Sequence, residues 1–352
     1  MPASEIRVVS AFDEAQWTSF VQSHRDATFY HTLQWRDFIV AVFGHRPLYL
    51  AAEQDGAVIG VLPLFRVTLP LAGSKLISLP YDIGSGGALT DSEDAERALV
   101  TAAMQLTQEL RAGYLELRYA GPRGALQPLG LRTQEPVLIS DMTLENEKAV
   151  RARISSDHRK AIRKAADRGV QIRDAMTLRD YTTFYEIYLR VFRDFGTPPY
   201  GARYFTSLWQ RLHASGYVRL FLADVEGRPV GGLLLFCWER SLVSKFAVCL
   251  PEAVPLRAYA ALYWRAIEFG LAHGHQRLSW GTSTRQQTGL LEFKERWGST
   301  TRPAVLYDLD VRTRAPDIAA YYDSSGLAQK LWRRLPIALT RVGGTVLNRW
   351  YC

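Results

Sequence analysis

Two segments of the chain share one pattern of apolar and polar positions. Residues 48–65 (LYLAAEQDGAVIGVLPLF) align with residues 220–236 (LFLADVEGRPVGGLLLF) across one gap, and each holds an apolar run, an acidic residue followed by glycine, and a second apolar run. This pattern predicts an antiparallel hairpin in each segment, with turns at Asp55-Gly56 and Glu226-Gly227. Two similar hairpins about half a chain apart indicate an internal repeat.

A second pattern also occurs twice, further along each half. A helical periodicity ends at a glycine and opens into a strand, at Gly113 in LTQELRAGYLELRYAG and at Gly274 in RAIEFGLAHGHQRLSWG. Because the hairpin and the helix-glycine-strand pattern recur in the same order, the chain is predicted to be a tandem duplication of one α/β unit. The predicted division is a first domain over 1–145, a second over 146–315 and a tail over 316–352.

The same periodicity gives the approximate elements of each half. The predicted helices span 29–44, 93–112, 157–168, 178–195, 201–215 and 256–272. The predicted strands of the second half span 217–225, 228–238, 241–249, 276–281 and 303–310.

Length and composition agree with two globular domains. The chain has 352 residues, of which 47% are hydrophobic and 22% charged. The first ten residues, MPASEIRVVS, lack the apolar core of a signal peptide, and no apolar run is long enough to span a membrane, which predicts a cytoplasmic protein. Three widely spaced cysteines are typical of reduced thiols and give no sign of a bound metal or cofactor.

The net charge of +8 is concentrated in two segments. Residues 151–170 hold seven Arg or Lys against two Asp, and residues 328–352 hold five against no acid. The first segment is predicted to be a helix that turns Ile162, Ala165 and Ala166 inward. Two i, i+4 pairs of basic residues lie along it, Arg159 with Arg163 and Lys160 with Lys164. A concentrated positive charge of this kind suits a partner that carries phosphates, either a nucleotide, an RNA or a lipid headgroup. A basic helix that is simply solvated explains the charge pattern equally well.

Several segments together resemble the FemAB group of aminoacyl and acyl transferases, most closely its members associated with exosortase (PEP-CTERM) and exopolysaccharide loci. The resemblance covers roughly residues 25–312. It rests on the order of five segments: SLPYDIGSGGAL, YLELRYAG, HRKAIRKAADRGV, RDFGTPPY and ALYWRAIEFGLAHGHQRLSWGTSTRQQTGLLEFKERWG. It implies two GNAT-type folds side by side.

The resemblance also implies an activity. The expected enzyme is an acyltransferase or aminoacyltransferase that forms an amide on an amine of a cell-envelope precursor, such as a nucleotide- or lipid-linked sugar or peptide of peptidoglycan or exopolysaccharide synthesis. No bound cofactor is expected, and the donor is an aminoacyl-tRNA or an acyl-CoA. Two alternatives remain open: a coenzyme A-dependent N-acyltransferase on the same double fold, and a protein that only binds such precursors.

The segment AVCLPEAVPLRAYAAL makes coenzyme A the less favoured donor. GNAT enzymes hold a pyrophosphate on backbone N–H groups of a glycine-rich turn, and this segment has no glycine, although Arg257 at the predicted helix start could meet a phosphate. The first half has glycines in YDIGSGGALTDSEDAERA, but Asp91, Glu93 and Asp94 follow them and would repel phosphate.

Lys294 is the main catalytic candidate. If residues 288–296 form a helical turn, Leu290, Leu291 and Phe293 face inward, and Lys294 emerges near the end of the preceding strand, WGTSTR. Most lysines are simply solvated. The resemblance places the matching lysine in the substrate cleft, where its ammonium would stabilise the oxyanion formed when an amine attacks the donor.

Other candidates have a structural explanation beside the functional one. Arg285 lies on a polar loop where a strand ends, and is either a substrate contact or a plain loop residue. Glu116 and Arg118 are two apart, so they share one sheet face and could form an internal ion pair. Under the resemblance their strand borders the cleft, and one of them would orient the acceptor or act as a base.

Two loops complete the predicted substrate site. Tyr81 and Asp82 precede a glycine cluster and could line the acceptor groove, or Asp82 could simply cap the loop. Tyr200 follows the sequence FGTPP, which predicts a rigid turn that displays its ring. No third ligand accompanies the histidines near Gly274, so no metal site is predicted.

The tail over 328–352 mixes basic residues with Leu, Ile, Val and Trp. This composition favours contact with an anionic membrane from the cytoplasmic side. The alternative is a C-terminal helix docked on the protein itself, and Pro336 and Gly343-Gly344 would divide a long amphipathic helix into short pieces.

Overall fold

The computed structural model describes residues 5–69, 73–82, 84, 86–311 and 326–349. Within these ranges the chain forms two compact units. The first contains residues 5–138 and 302–311, and the second contains residues 139–301 and 326–349. The chain therefore leaves the first unit within one long strand and returns to it within another, rather than changing domain at a linker near residue 145.

The elements follow one another in a mixed α/β order. Up to residue 143 they are β1 (Arg7–Val9), α1 (Glu14–Ser23), α2 (Leu33–Phe43), β2 (Arg46–Pro47), β3 (Leu50–Gln54), β4 (Ala57–Leu62), β5 (Leu64–Leu69), β6 (Gly73–Ser78), α3 (Glu93–Glu109), β7 (Tyr114–Tyr119) and β8 (Arg132–Thr143). After it they are α4 (Glu147–Arg153), α5 (Ser156–Asp167), β9 (Val170–Asp174), α6 (Leu178–Phe195), α7 (Ala202–Leu208), β10 (Val218–Val225), β11 (Arg228–Trp238), β12 (Ser241–Cys249), α8 (Ala258–Ala272), β13 (Arg277–Ser283), α9 (Thr288–Arg296), β14 (Thr300–Asp310), α10 (Leu327–Arg333) and α11 (Ile337–Leu347).

The first unit contains a small antiparallel sheet and part of a larger mixed one. The small sheet has the order β1-β3-β4, and the larger one runs β2-β5-β6-β7-β14, in which only β6 and β7 are parallel. Helix α3 covers both with Leu99 and Ala103, which pack among Leu62, Leu76 and Leu115. This core fixes the position of β7, all of whose residues are buried.

The second unit is organised around the strand order β13-β12-β11-β10-β9, in which only β12 and β13 are parallel. Alternate residues of β11 face opposite layers. Leu233 and Leu235 lie in the core beneath α8, and Gly232 lies against Phe184 of α6, where a Cβ atom would come within 2.6 Å of the ring. The sheet is therefore covered by α5 and α8 on one face and by α6 on the other.

The repeated hairpins are present as the sequence predicts. β3 and β4 turn through Asp55 and Gly56 with φ of 51° and 80°, and β10 and β11 turn through Glu226 and Gly227 with φ of 50° and 74°. Left-handed conformations at both central residues are the signature of a type I′ turn. Each hairpin also has a register shift two residues before its turn. The two hairpins therefore share an irregularity in strand pairing that the sequence pattern does not show.

Most predicted helices are present, with boundaries set by caps. The helix predicted over 29–44 starts only at Leu33, because the Thr32 side chain accepts a hydrogen bond from the backbone N–H of Trp35, and a short 3₁₀ turn precedes it. The helix predicted over 201–215 divides into α7 and a π-helical turn at Trp209–His213. The strand predicted at 303–310 is β14, whose residues from 302 onward belong to the first unit.

Candidate functional site

In each unit, a parallel pair of strands keeps its mutual register over only part of its length. In the second unit the register of β12 with β13 ends at Val243 opposite Ser279, although β12 continues to residue 249 and β13 to residue 283. In the first unit the register of β6 with β7 ends at Ile77 opposite Glu116. The polar residues described next lie at or beyond the last position of these two parallel registers, on β13 and β7.

Lys294 lies on α9 and reaches back to the end of β13. Its Nζ donates to the carbonyl oxygens of Gly281 and Thr282, over 3.1 and 3.3 Å, and to Ser283 Oγ over 2.8 Å. Gly281 has a φ of 72°, which bends the strand end at this point. The lysine is buried, with 3% of its surface exposed, so it is not simply solvated as most lysines are.

Burial lowers the pKa of Lys294 from its ordinary value of 10.5 to about 8, and the charge of Asp141 acts in the opposite direction. The three oxygens that accept its hydrogen bonds are neutral. Its position in the last turn of α9 favours a cation there, because the free carbonyls of a helix C-terminus carry partial negative charge. The group can thus hold or release a proton close to neutral pH.

An aromatic cluster holds the helix that carries Lys294. Trp297 is fully buried, with ring centroids 5.6 Å from Trp280, 6.0 Å from Tyr263 and 4.7 Å from His158. Phe293 lies 5.1 Å from His158 on the same side. These contacts fix the rotation of α9 and leave the lysine on the side that faces β13.

The neighbours of Lys294 differ in part from the sequence prediction. Leu290 was expected to face inward and is 41% exposed, because the first turn of α9 projects from the unit. Leu291 and Phe293 are half-buried. Arg285 is exposed on the loop between β13 and α9, a loop closed by a hydrogen bond from the backbone N–H of Thr284 to the Gln287 side chain.

Glu116 and Arg118 form a buried ion pair in the first unit. Arg118 Nε donates to Glu116 Oε1 over 2.6 Å, and both side chains are nearly inaccessible to solvent. Arg118 Nη1 also donates to the carbonyl oxygens of Asp82, over 2.7 Å, and Leu79, over 3.4 Å. Glu116 Oε2 is buried and has no hydrogen-bond partner among the residues described. The internal ion pair that the i, i+2 spacing of Glu116 and Arg118 indicates is therefore present. It uses only one of the two carboxylate oxygens.

The loop held by Arg118 carries the other first-unit candidates. Tyr81 is buried, with a φ of 71°, and its hydroxyl lies 2.7 Å from His45 Nε2 while its ring stacks on Phe43. Leu79 also has a positive φ, of 48°. Two such residues in one short loop are strained, and the hydrogen bonds from Arg118 offset that strain. The structure therefore brings Tyr81, Asp82, Glu116 and Arg118 together.

Tyr200 is half-buried in a cluster of aromatic rings. Its ring stacks on Tyr204 at 4.6 Å, and its backbone N–H donates to the hydroxyl of Tyr188. Phe246 lies against both rings. This aromatic packing holds Tyr200 in place directly after Pro198 and Pro199.

Arg257 is the exposed N-cap of α8 and has a φ of 68°. The turn before it offers little to a phosphate. Pro251 and Pro255 have no N–H, and the N–H groups of Ala253, Val254 and Arg257 each donate to a carbonyl within residues 250–254. A pyrophosphate could use these three N–H groups only by displacing their bonds.

The basic helix α5 presents its charges unequally. Lys160, Arg163 and Lys164 are exposed, whereas Arg159 is half-buried and donates to the carbonyl oxygens of Arg151 and Ile154 at the end of α4. Ala165 faces the core as predicted. Ala166, which was expected to face inward, is exposed. The outward ridge is therefore made by Lys160, Arg163 and Lys164.

A cavity of 270 Å³ lies elsewhere in the first unit and involves none of the predicted catalytic or substrate-binding residues. Its wall includes Asp91 and Glu93, and Arg123, which makes two hydrogen bonds to the buried Glu96. Mixed charges that already pair with one another leave this cavity without a defined ligand. Among the residues described, no cluster of three or more His, Cys, Asp or Glu could hold a metal ion.

Comparison with known proteins identifies the fold. Residues 152–295 match the sequence family described as acetyltransferase (GNAT) domain, which is less than half of the chain. Curated proteins give no significant sequence match. Among solved structures, FemX is similar with a TM-score of 0.71 and 14% identity, over 86% of this chain and 98% of that one.

Two further structures share the arrangement. L-PGS from Bacillus licheniformis has a TM-score of 0.58 and 11% identity, over 92% of this chain and 98% of that one. A tandem GNAT protein from the clavulanic acid biosynthesis pathway has a TM-score of 0.55 and 12% identity, over 88% of this chain and 100% of that one. The chain therefore has the FemAB-like double GNAT fold that its sequence predicts.

Proposed function

We propose that the protein is an aminoacyl or acyl transferase that forms an amide on an amine of a cell-envelope or exopolysaccharide precursor. The observation that carries the proposal is the environment of Lys294. A buried lysine whose hydrogen bonds all go to neutral oxygens keeps an ammonium charge that no contacting carboxylate neutralises. Such a group suits a site where negative charge develops during a reaction.

In the proposed reaction the amine nitrogen of the acceptor attacks the carbonyl carbon of an activated ester or thioester. The C–N bond forms, the carbonyl oxygen becomes an oxyanion, and the C–O or C–S bond then breaks as the donor's alcohol or thiol leaves with a proton. The ammonium of Lys294 stabilises the oxyanion, assisted by the hydroxyl of Ser283. The reaction needs alignment and charge stabilisation more than a strong base, which accounts for the lack of a conspicuous catalytic motif.

In the first unit, the ion pair of Glu116 and Arg118 has a positioning role in this proposal. Arg118 holds the loop that carries Tyr81 and Asp82, and those residues would orient the acceptor. The unpartnered Oε2 of Glu116 is the atom of this pair that could accept a hydrogen bond from a precursor bound in the first unit.

The donor proposed is an aminoacyl ester, such as an aminoacyl-tRNA, rather than acyl-CoA. Support comes from the turn before Arg257, which has prolines at 251 and 255 and in which the N–H groups of Ala253, Val254 and Arg257 are already bonded. The exposed ridge of Lys160, Arg163 and Lys164 offers phosphate contacts instead. One similar fold is the C-terminal domain of a putative lysylphosphatidylglycerol synthetase from Agrobacterium fabrum, and the FemX structure is another. We propose that the enzyme works at the cytoplasmic side of the envelope on a nucleotide- or lipid-linked acceptor.

Transfer assays with labelled donors test this proposal. Purified protein is incubated with labelled aminoacyl-tRNA or labelled acyl-CoA and, in turn, with nucleotide-linked and lipid-linked amino-sugar or peptide precursors. Label should move from the tRNA to an acceptor amine. Transfer from acyl-CoA alone would support the coenzyme A-dependent alternative, and precursor binding without transfer from either donor would support the binding protein.

A further inference from the structure

The last helix, α11, packs on its own protein through a narrow face of small and polar residues. Thr340, Gly344 and Asn348 are buried and lie four residues apart, so they share one side of the helix. Asn348 Nδ2 donates to the carbonyl oxygens of Pro198 and Pro199, both over 2.8 Å. A Cβ atom at Gly344 would lie 2.4 Å from the Pro199 carbonyl oxygen, so the contact requires glycine.

The opposite side of the same helix is apolar and exposed. Leu339, Val342 and Val346 are 57%, 64% and 48% exposed, and their spacing of three and four residues places them in one stripe. Leu331 of α10 is 56% exposed as well. A helix that folds against its own protein normally buries its apolar side, and here that orientation is reversed. The stripe formed by Leu339, Val342 and Val346 is called the outer stripe.

Positive charge accompanies the outer stripe. The segment 326–349 contains five Lys or Arg and no acid. Arg341 is paired with Glu186, and Arg333 donates to the carbonyl oxygen of Phe195. Lys330, Arg334 and Arg349 are exposed beside the apolar residues. Exposed aliphatic side chains with a surplus of cations match the interface of an anionic bilayer, where acyl chains and phosphates are available together.

We propose that the outer stripe is a membrane-docking face that inserts into the headgroup region of an anionic lipid bilayer, with Lys330 and Arg334 close to lipid phosphates. None of the described helices combines the length and the hydropathy that a membrane-spanning segment needs. A second copy of this chain is a poorer occupant, because two such segments would bring like charges together. The docking face stands apart from the transfer reaction, since lipid binding requires neither donor nor acceptor.

Co-sedimentation of the full chain with vesicles tests the proposal. Vesicles that contain phosphatidylglycerol should pellet the protein at low salt, and binding should fall as salt is added because exposed charges are screened. Val342→Glu should reduce binding about tenfold, since it places an acid in the stripe. Met176→Glu is the matched control, because Met176 is 59% exposed in the same unit and lies outside the stripe. It should bind as the unchanged protein does.

The readouts separate the competing explanations. Circular dichroism and thermal unfolding of Val342→Glu should match those of the unchanged protein, because the residue is exposed. The proposal is overturned if this folded variant pellets normally, or if phosphatidylcholine vesicles bind the protein as well as anionic ones do. It is also overturned if light scattering shows a dimer that Val342→Glu dissociates. Transfer activity on a soluble acceptor reports on the proposed function separately and should be the same in both variants.

Discussion

Lys294 Nζ donates a hydrogen bond to Ser283 Oγ over 2.8 Å, and this contact joins α9 to the C-terminal end of β13. Because the ammonium can only donate, the serine oxygen accepts this bond and its own hydroxyl hydrogen is directed elsewhere. The pair can therefore present a hydroxyl donor polarised by a buried positive charge. This arrangement suits an oxyanion better than a cation or an attacking nucleophile.

Replacement of Lys294 tests its role directly. Lys294→Met keeps the length of the side chain and removes the charge, so we expect transfer to fall about 10²-fold with little change in binding of the donor. Lys75→Met is the matched control, because Lys75 is also buried but lies on β6 in the first unit. A fully active Lys294→Met enzyme would rule out the proposed catalytic role.

The lowered pKa of Lys294 predicts how stability depends on pH. The folded protein releases this proton near pH 8 and the unfolded chain near 10.5, so the cost of burying the charge is fully present below pH 8 and disappears as the pH rises to 10.5. The free energy of unfolding of the unchanged protein should thus rise, relative to that of Lys294→Met, by about 3 kcal/mol over this interval. Urea unfolding of both proteins at several pH values measures the difference, and parallel curves would contradict the assigned pKa.

The hairpins could be predicted because their signals are local. Asp55-Gly56 and Glu226-Gly227 supply the left-handed conformations that their turns need, and the flanking apolar runs give the strands. The burial of Lys294 could not be predicted in this way. It depends on where Trp297 fixes the rotation of α9 and on the bend at Gly281, and both are tertiary features. β14 likewise belongs to the first unit because it pairs with β7, which is far away in the sequence. Hydrophobic periodicity does not specify which distant strands pair.

The buried ion pair of Glu116 and Arg118 should show strong energetic coupling. Glu116→Gln leaves the guanidinium of Arg118 buried without its counter-charge, and Arg118→Met leaves the carboxylate in the same position, so each should cost about 3 kcal/mol of stability or more. The double variant should lose clearly less than the sum of the two. A double-mutant cycle from urea unfolding gives the coupling energy, and additive losses would mean that solvent or other groups already screen the pair.

The basic ridge of α5 and Arg159 should respond differently to charge reversal. Lys160→Glu combined with Lys164→Glu should weaken binding of a phosphate-bearing donor at least tenfold at low salt and have less effect at high salt, with thermal stability preserved. Arg159→Glu should instead lower thermal stability, because Arg159 joins α5 to the end of α4. Arg179→Glu, an exposed charge reversal on α6, is the control for both measurements. Equal donor affinity of the double variant and the control would show that the ridge is only solvated.

Gly344 should be essential for the docking of α11 on the second unit. An alanine there would place its Cβ atom 2.4 Å from the Pro199 carbonyl oxygen, and the backbone must move to relieve this contact. Overpacking of this kind costs about 1–3 kcal/mol, which exceeds the gain in helix propensity of about 1 kcal/mol. Gly343→Ala makes the same change one residue away, where the nearest atom is the edge of the Trp332 ring at 3.0 Å, so it should be much better tolerated.

Limited proteolysis and thermal unfolding distinguish the two variants. Gly344→Ala should expose the segment after residue 326 to cleavage and lower the melting temperature, and Gly343→Ala should resemble the unchanged protein in both respects. The outer stripe is untouched by either change, so both should still bind anionic vesicles. If Gly344→Ala resists proteolysis as the unchanged chain does, then α11 does not rest on Pro199, and the exposure of its apolar side would lose its structural basis.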